Sequence, residues 1–166
     1  MANPTQTRAK TEGQAELTQA FHALFVDTRG PGLAMVTETV RAWLSQIGAT
    51  DGLLTLFIRH TSASLLVQEN ADPDVQVDLT RALDRLAPRD APYVHDIEGP
   101  DDMPAHIKAA LTGTSLSIPV RSGRMVLGTW QGIYVMEHRD RPHRREVVLH
   151  YLGTTWAHAR RPERRL

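Results

Sequence analysis

Two short segments are apolar in both strand phases, and they constrain the fold more than anything else in the chain. Residues 53–58 read Leu-Leu-Thr-Leu-Phe-Ile, and residues 133–136 read Ile-Tyr-Val-Met. Successive side chains of a β-strand point to opposite faces, so such a strand needs cover on both sides. Helices can cover one face, and another subunit must then cover part of the rest. The remaining pattern supplies more strands. Leu17, Phe21, Ala23 and Phe25 share a phase and predict a strand over 16–28. Asp51-Gly52 reads as a turn before a strand over 53–60, whose one face carries Leu54, Leu56, Ile58 and His60. Leu65 to Gln68 resumes as its hairpin-like partner after a polar bend. Leu116, Ile118 and Val120 alternate, with Pro119 pushing that strand towards an edge. Ser122-Gly123 is a hairpin turn, Met125 to Met136 is one strand or two, and Val147 to Leu152 closes the sheet.

About three helices complete the set. Val36, Val40, Trp43, Leu44 and Ile47 recur at helical spacing, with Thr37 as N-cap and Gly48 as stop. Asp72-Pro73-Asp74 is a strong helix start, followed by the stripe Val75, Leu79, Ala82, Leu83 and Leu86. Met103, Ile107, Ala110 and Leu111 form a third stripe, capped by Asp101 or Asp102, with His106 on the same inward face. Strands, helix, strands, two helices and strands read as an α+β fold with mostly antiparallel pairing.

The 166-residue length suits one domain over 15–156, flanked by a disordered polar tail over 1–14 and a basic tail over 157–166. Lys+Arg and Asp+Glu both number 19, which argues against a general nucleic-acid binder. The absence of cysteine excludes disulfides, thiolate zinc sites and cysteine nucleophiles, and is compatible with the cytoplasm. No apolar run approaches the roughly 20 residues a membrane span needs.

Chemistry concentrates in His95-Asp-Ile-Glu-Gly-Pro-Asp-Asp-Met-Pro-Ala-His106, where two imidazoles and four carboxylates fall within twelve residues. Imidazole is the commonest ligand of zinc-like ions. His60, His95 and His106 are therefore the candidate metal ligands, against a plain reading as hydrogen-bonded rim histidines. On this reading His22, His138, His143, His150 and His158 take no part. Glu98 lies in a Gly-Pro loop with no helix to cap, as a general base or metal contact. Asp101 and Asp102 have a structural use as caps, and magnesium bound to a diphosphate is the alternative for Glu98 or Asp101. Gln131 shares a strand phase with Ile133 and Val135, which reads as a pocket wall or a solvent face. Arg144 and Arg145 suit phosphate oxygens, whereas Arg139 and Arg141 read as a solvated loop. Ser62 or Ser64 is a candidate nucleophile without an assignable base. No phosphate-binding glycine loop, dinucleotide fingerprint or nucleophile elbow is present.

Three blocks resemble the YjbQ-like family in order and spacing. They are Phe57-Ile-Arg-His-Thr-Ser-Ala-Ser64 with Glu69-Asn70, His95 to Gly99 with Ala105-His-Ile-Lys108, and Leu127-Gly-Thr-Trp-Gln-Gly-Ile133. The resemblance covers roughly residues 15–155. It implies two packed sheets with helices, a homotrimer, and a histidine-lined site near subunit contacts holding a divalent metal, zinc or magnesium. It also implies a secondary thiamine-phosphate synthase activity that joins a pyrimidine diphosphate to a thiazole phosphate. The expected protein is thus a metal-dependent enzyme on a small phosphorylated substrate, or a non-catalytic trimer that binds metal or a small ligand.

Overall fold

The computed structural model describes residues 16–156, so both terminal tails lie outside the described residues. The chain forms β1 (Thr18–Asp27), β2 (Gly32–Met35), α1 (Thr37–Gln46), β3 (Ala49–Ile58), β4 (Ala63–Glu69), α2 (Pro73–Leu86), α3 (Asp102–Leu111), β5 (Ser115–Arg121), β6 (Arg124–Met125), β7 (Gln131–Glu137) and β8 (Arg144–Thr155). Two antiparallel sheets result. One has five strands in the order β1-β8-β3-β5-β6, and the other has three in the order β2-β7-β4. The α+β expectation with two sheets and three helices holds. Among the described residues no helix is long and apolar enough to cross a membrane.

The core lies between the two sheets. Leu54, Leu56 and Ile58 of β3, with Val147, Leu149 and Tyr151 of β8, face Leu65 of β4 and Ile133 and Val135 of β7. Helix α1 closes this core with Val40, Trp43 and Leu44, all buried. The doubly apolar segments find different solutions. Residues 132–137 of β7, the middle strand of its sheet, are all buried. Over residues 53–58 of β3 only one phase is buried, and Leu53 and Phe57 stay 42% and 48% exposed on the other face. The odd phase of β1 shares that outer face, with Phe21 67% and Phe25 48% exposed, while Leu24 points into the core. His150 stacks beneath Phe21 with ring centroids 4.3 Å apart.

Several local expectations need correction. Asp51-Gly52 does not turn the chain but lies inside β3, at an irregularity in its pairing with β8. Gly52 opposes Gly153 there, and a Cβ on either would run into the other strand's backbone. β4 is not the hairpin partner of β3: it pairs with β7, so the polar bend at Arg59–Ser62 carries the chain from one sheet to the other. Thr37 does not cap α1, because its Oγ1 accepts from the Ile133 N–H at 2.8 Å. Strand β2, only four residues long, was not foreseen. The buried face of α3 is Asp102, Pro104, Ala105, Lys108 and Ala109, and the expected stripe through Met103, Ile107, Ala110 and Leu111 is half-buried or exposed. By contrast, Asp72 caps α2 as expected by accepting from the Asp74 N–H at 2.9 Å, with Pro73 in the first turn.

Candidate metal centre

Helix α3 sets the geometry. Asp102 and His106 are four residues apart and therefore share a helix face. The loop before α3 turns at Gly99, whose φ is +108°, and its carbonyl accepts from the Asp102 N–H at 3.2 Å. This loop folds His95 back over that face. One carboxylate oxygen, Asp102 Oδ2, accepts a hydrogen bond from His95 Nε2 at 2.7 Å and lies 3.3 Å from His106 Nε2. The two rings stand edge to face with centroids 5.7 Å apart. The three ligand-type atoms all lie within 4.8 Å of one another, close enough to share one ion.

A backbone contact fixes the tautomer of His106. Its Nδ1 lies 3.1 Å from the Thr61 carbonyl, which can only accept. Nδ1 therefore carries the proton, and in the neutral ring Nε2 presents a lone pair towards Asp102 and His95. A ligating imidazole held by a carbonyl on its other nitrogen is the usual supporting arrangement around metals. Asp102 is 1% exposed, so its charge needs compensation. Arg139 supplies it: Nη1 contacts Asp102 Oδ1, Nε donates to Asp101 Oδ2 at 2.9 Å, and Nη2 donates to the Glu98 carbonyl at 2.9 Å.

His60 is not in this cluster. Strand β3 ends at Ile58, and the His60 Nε2 accepts from the Glu146 N–H of β8 at 2.8 Å, which occupies its lone pair. Burial, then Arg145, lowers its pKa below the ordinary 6.5. The third donor beside His95 and His106 is Asp102, whose expected capping role is absent, as is that of Asp101. Burial pushes the Asp101 carboxyl up, but the Asp140 N–H and Arg139 outweigh it and hold the group below its ordinary value.

The other expected residues disperse. Glu98 is an exposed side chain with Oε2 3.8 Å from Arg139 Nη1. Gln131 begins β7, and Arg139 follows its other end, so the length of the strand, about 20 Å at roughly 3.3 Å per residue, lies between Gln131 and the Arg139 end. Arg144 lies over the Phe25 ring at 4.6 Å, on the outer sheet face. Its neighbour Arg145 points inward, 4% exposed, and pairs with Glu137 through Nε at 2.7 Å and Nη2 at 2.5 Å. The two arginines therefore cannot grip one phosphate together. Ser62 is occupied too, since its Oγ and carbonyl both accept from Arg145 Nη2, at 3.2 and 3.3 Å.

Two features escaped the sequence reading. Arg139, taken for a solvated loop residue, is the cation of the centre. Ser64, which had no assignable base, lies 2.9 Å from His138 Nε2, with both residues buried. Burial, then Lys108, lowers the His138 pKa to about 4. The Asp102–His106 spacing on one helix was a readable signal for the centre. Nothing local signals Arg139, because its carboxylates lie 37 and 38 residues away.

Comparison with known proteins agrees with this architecture. The model for the UPF0047, YjbQ-like family matches residues 22–154. The chain belongs to that family. A UPF0047 protein of Synechocystis is 49% identical over 140 residues, spanning 84% of this chain and 95% of that protein. The YjbQ protein of Salmonella typhimurium is 46% identical over 118 residues, 70% of this chain and 86% of its own. A hypothetical protein of Aeropyrum pernix superposes with a TM-score of 0.75 at 36% identity, covering 81% of this chain and 98% of that one. A protein of unknown function from Sulfolobus solfataricus reaches a TM-score of 0.77 at 23% identity over 83% of this chain and 99% of its own, which shows the shared fold.

Proposed function

We propose that this protein is a divalent-metal protein acting on a small phosphorylated substrate, with His95, Asp102 and His106 as the ligands. The observation that carries the reading is the convergence of two imidazoles and one carboxylate within 4.8 Å, with His106 held in the tautomer that frees Nε2. Two nitrogens and one oxygen suit zinc-like ions; magnesium prefers an all-oxygen shell and is the poorer fit. A bound ion would neutralise charge on a phosphoryl group or departing diphosphate. The chain's own residues orient and bind. Thr61 fixes the His106 ring, and Arg139 holds Asp102 so that Oδ2, the oxygen it does not contact, faces both imidazoles, where a bound ion would take the place of the His95 Nε2 proton. A cavity of about 250 Å³ beside His95 is lined also by Arg89 and Tyr93, and has room for a phosphoryl group. Joining a pyrimidine diphosphate to a thiazole phosphate is the reaction to assay first. It asks for two substrates held in line and for a departing charge to be compensated, which positioning and electrostatics can supply.

A second reading, a non-catalytic binding protein, is favoured by one specific observation. Asp101 is bound to Arg139 and the Asp140 N–H, so it is not free as a general base beside the histidines. We also propose a homotrimer built on the outer face of the five-stranded sheet, where Phe21, Phe25, Leu53, Phe57 and Leu152 are exposed together. The functional test is thiamine-phosphate formation and phosphate-ester turnover by metal-loaded protein, with and without a chelator. Turnover that the chelator stops, and that His106→Ala lacks, supports the enzyme. Stoichiometric metal without turnover supports the binding protein.

A further inference from the structure

We propose that the cleft at the Gln131 end of β7 is a binding site for a small organic phosphate, separate from the histidine centre. The cleft encloses about 640 Å³, within the range of about 300–1,000 Å³ typical of small-molecule sites. That is far more than a bare phosphate fills, so an organic body accompanies the anion.

Arg41 and Arg124 provide the cationic wall. Arg41 is engaged by Glu38 at 2.8 Å, an exposed pair that contributes little by itself. Arg124 makes no ion pair among the described residues, and its guanidinium fork is free to take phosphate oxygens. Two arginines against one glutamate leave one net positive charge at the wall. Polar groups for the organic body come from Asn70, Gln131 and Thr37. The Gln131 Oε1 accepts from the Gly128 N–H at 2.7 Å, so its amide NH₂ remains to donate. Thr37 Oγ1 accepts from the Ile133 N–H and keeps its own proton for a ligand. Met35, Met125 and Leu127 form the apolar side.

The glycines of the Gly128-Thr-Trp-Gln-Gly132 segment protect this arrangement. A Cβ on Gly128 would sit 3.3 Å from Gln131 Oε1, and one on Gly132 would sit 3.3 Å from the Asn70 Cβ and 3.0 Å from the Tyr134 ring. Either would press on a residue that lines the cleft, Gln131 from Gly128 and Asn70 from Gly132. Tertiary structure therefore gives these glycines a reason that strand formation alone does not.

The test uses chelator-treated, metal-free full-length protein, so its outcome is independent of the metal centre. Glycerol 3-phosphate, ribose 5-phosphate and pyridoxine 5′-phosphate are titrated while backbone amide resonances are followed by NMR, with inorganic phosphate and each dephosphorylated compound alongside. The expected result is saturable shifts at Gly128, Thr129 and Gln131 for at least one ester, with the dephosphorylated form at least tenfold weaker. Arg124→Ala should weaken binding at least tenfold with an otherwise unchanged spectrum, and Gly132→Ala should weaken it without touching a charge. His106→Ala should bind as the wild type does. No saturable shifts with any ester, or affinity unchanged in Arg124→Ala, overturns the proposal. Inorganic phosphate binding as tightly as the best ester means an adventitious ion only, and overturns it too.

Discussion

Asp102 carries more of the account than any other residue. One oxygen faces two imidazoles and the other contacts Arg139, so the side chain links the centre to the strand end that supports it. Asp102→Asn should cut metal affinity by one to two orders of magnitude, in line with losses on disturbing ligands and their supports. Arg145 answers a different question. It and Glu137 are both nearly inaccessible, and Thr28 Oγ1 adds a 2.7 Å hydrogen bond to the same carboxylate. Burial raises the Glu137 pKa, but Arg145, Thr28 and the Arg139 N–H outweigh it and leave the group below its ordinary value. Arg145→Ala strands a buried carboxylate and should cost about 3–5 kcal/mol, measured by denaturant unfolding. Arg144→Ala, at the exposed neighbour, should cost under about 1 kcal/mol. Similar losses in both would contradict the inward and outward placement. His138 predicts an acid limb. It stays neutral when folded down to a pKa of about 4, whereas the unfolded chain protonates near 6.5. The unfolded state binds more protons across that window, so stability falls as pH drops through it, by up to about 3 kcal/mol. Thermal midpoints between pH 7 and 4 should fall less steeply in His138→Gln than in the wild type; parallel curves would remove His138 as the cause.

At the scale of elements, the readable parts were those set by local rules. The N-cap and proline of α2, the Ser122-Gly123 turn and the period of β3 all follow from neighbours in sequence, and all three form. Pairing was not readable. β4 follows β3 by four residues yet belongs to the other sheet, because β7, some seventy residues later, offers a partner buried on both faces. His60 was misread for the same reason: its strand phase was right, but the strand stops two residues short and the β8 backbone claims the ring. On α3 the apolar stripe misled, since the buried face is chosen by the Asp102 contacts and by Lys108, whose Nζ reaches Asp84 of α2 at 2.5 Å. The Gly52–Gly153 crossing gives a test at this scale. Gly153→Ala should destabilise by more than the ordinary glycine-to-alanine range, because the added methyl meets the Asp51 carbonyl and the Tyr151 hydroxyl. A thermal midpoint equal to or above the wild type would mean the strands can part there at no cost.

At the scale of the molecule, the outer face of the five-stranded sheet is the unfinished surface. Phe21, Leu53, Phe57 and Leu152 lie on adjacent strands in register, around a His150 whose buried Nε2 has no hydrogen-bond partner in the described chain. A closed trimer burying that face should scatter light with three times the 18.5 kDa chain mass at micromolar concentration. Phe21→Glu combined with Phe57→Glu should shift the mass towards the monomer. A monomer mass for the unaltered protein would leave the exposed sheet unexplained.

The central claim is that His95, Asp102 and His106, without His60, hold one ion. Equilibrium dialysis against zinc at neutral pH, with bound metal measured per chain, tests it most directly in five single variants. His95→Ala, Asp102→Asn and His106→Ala should each lose most of the metal, while His60→Ala and His150→Ala should keep the wild-type content. Equal metal in all five, or loss on replacing His60 but not Asp102, would contradict the account.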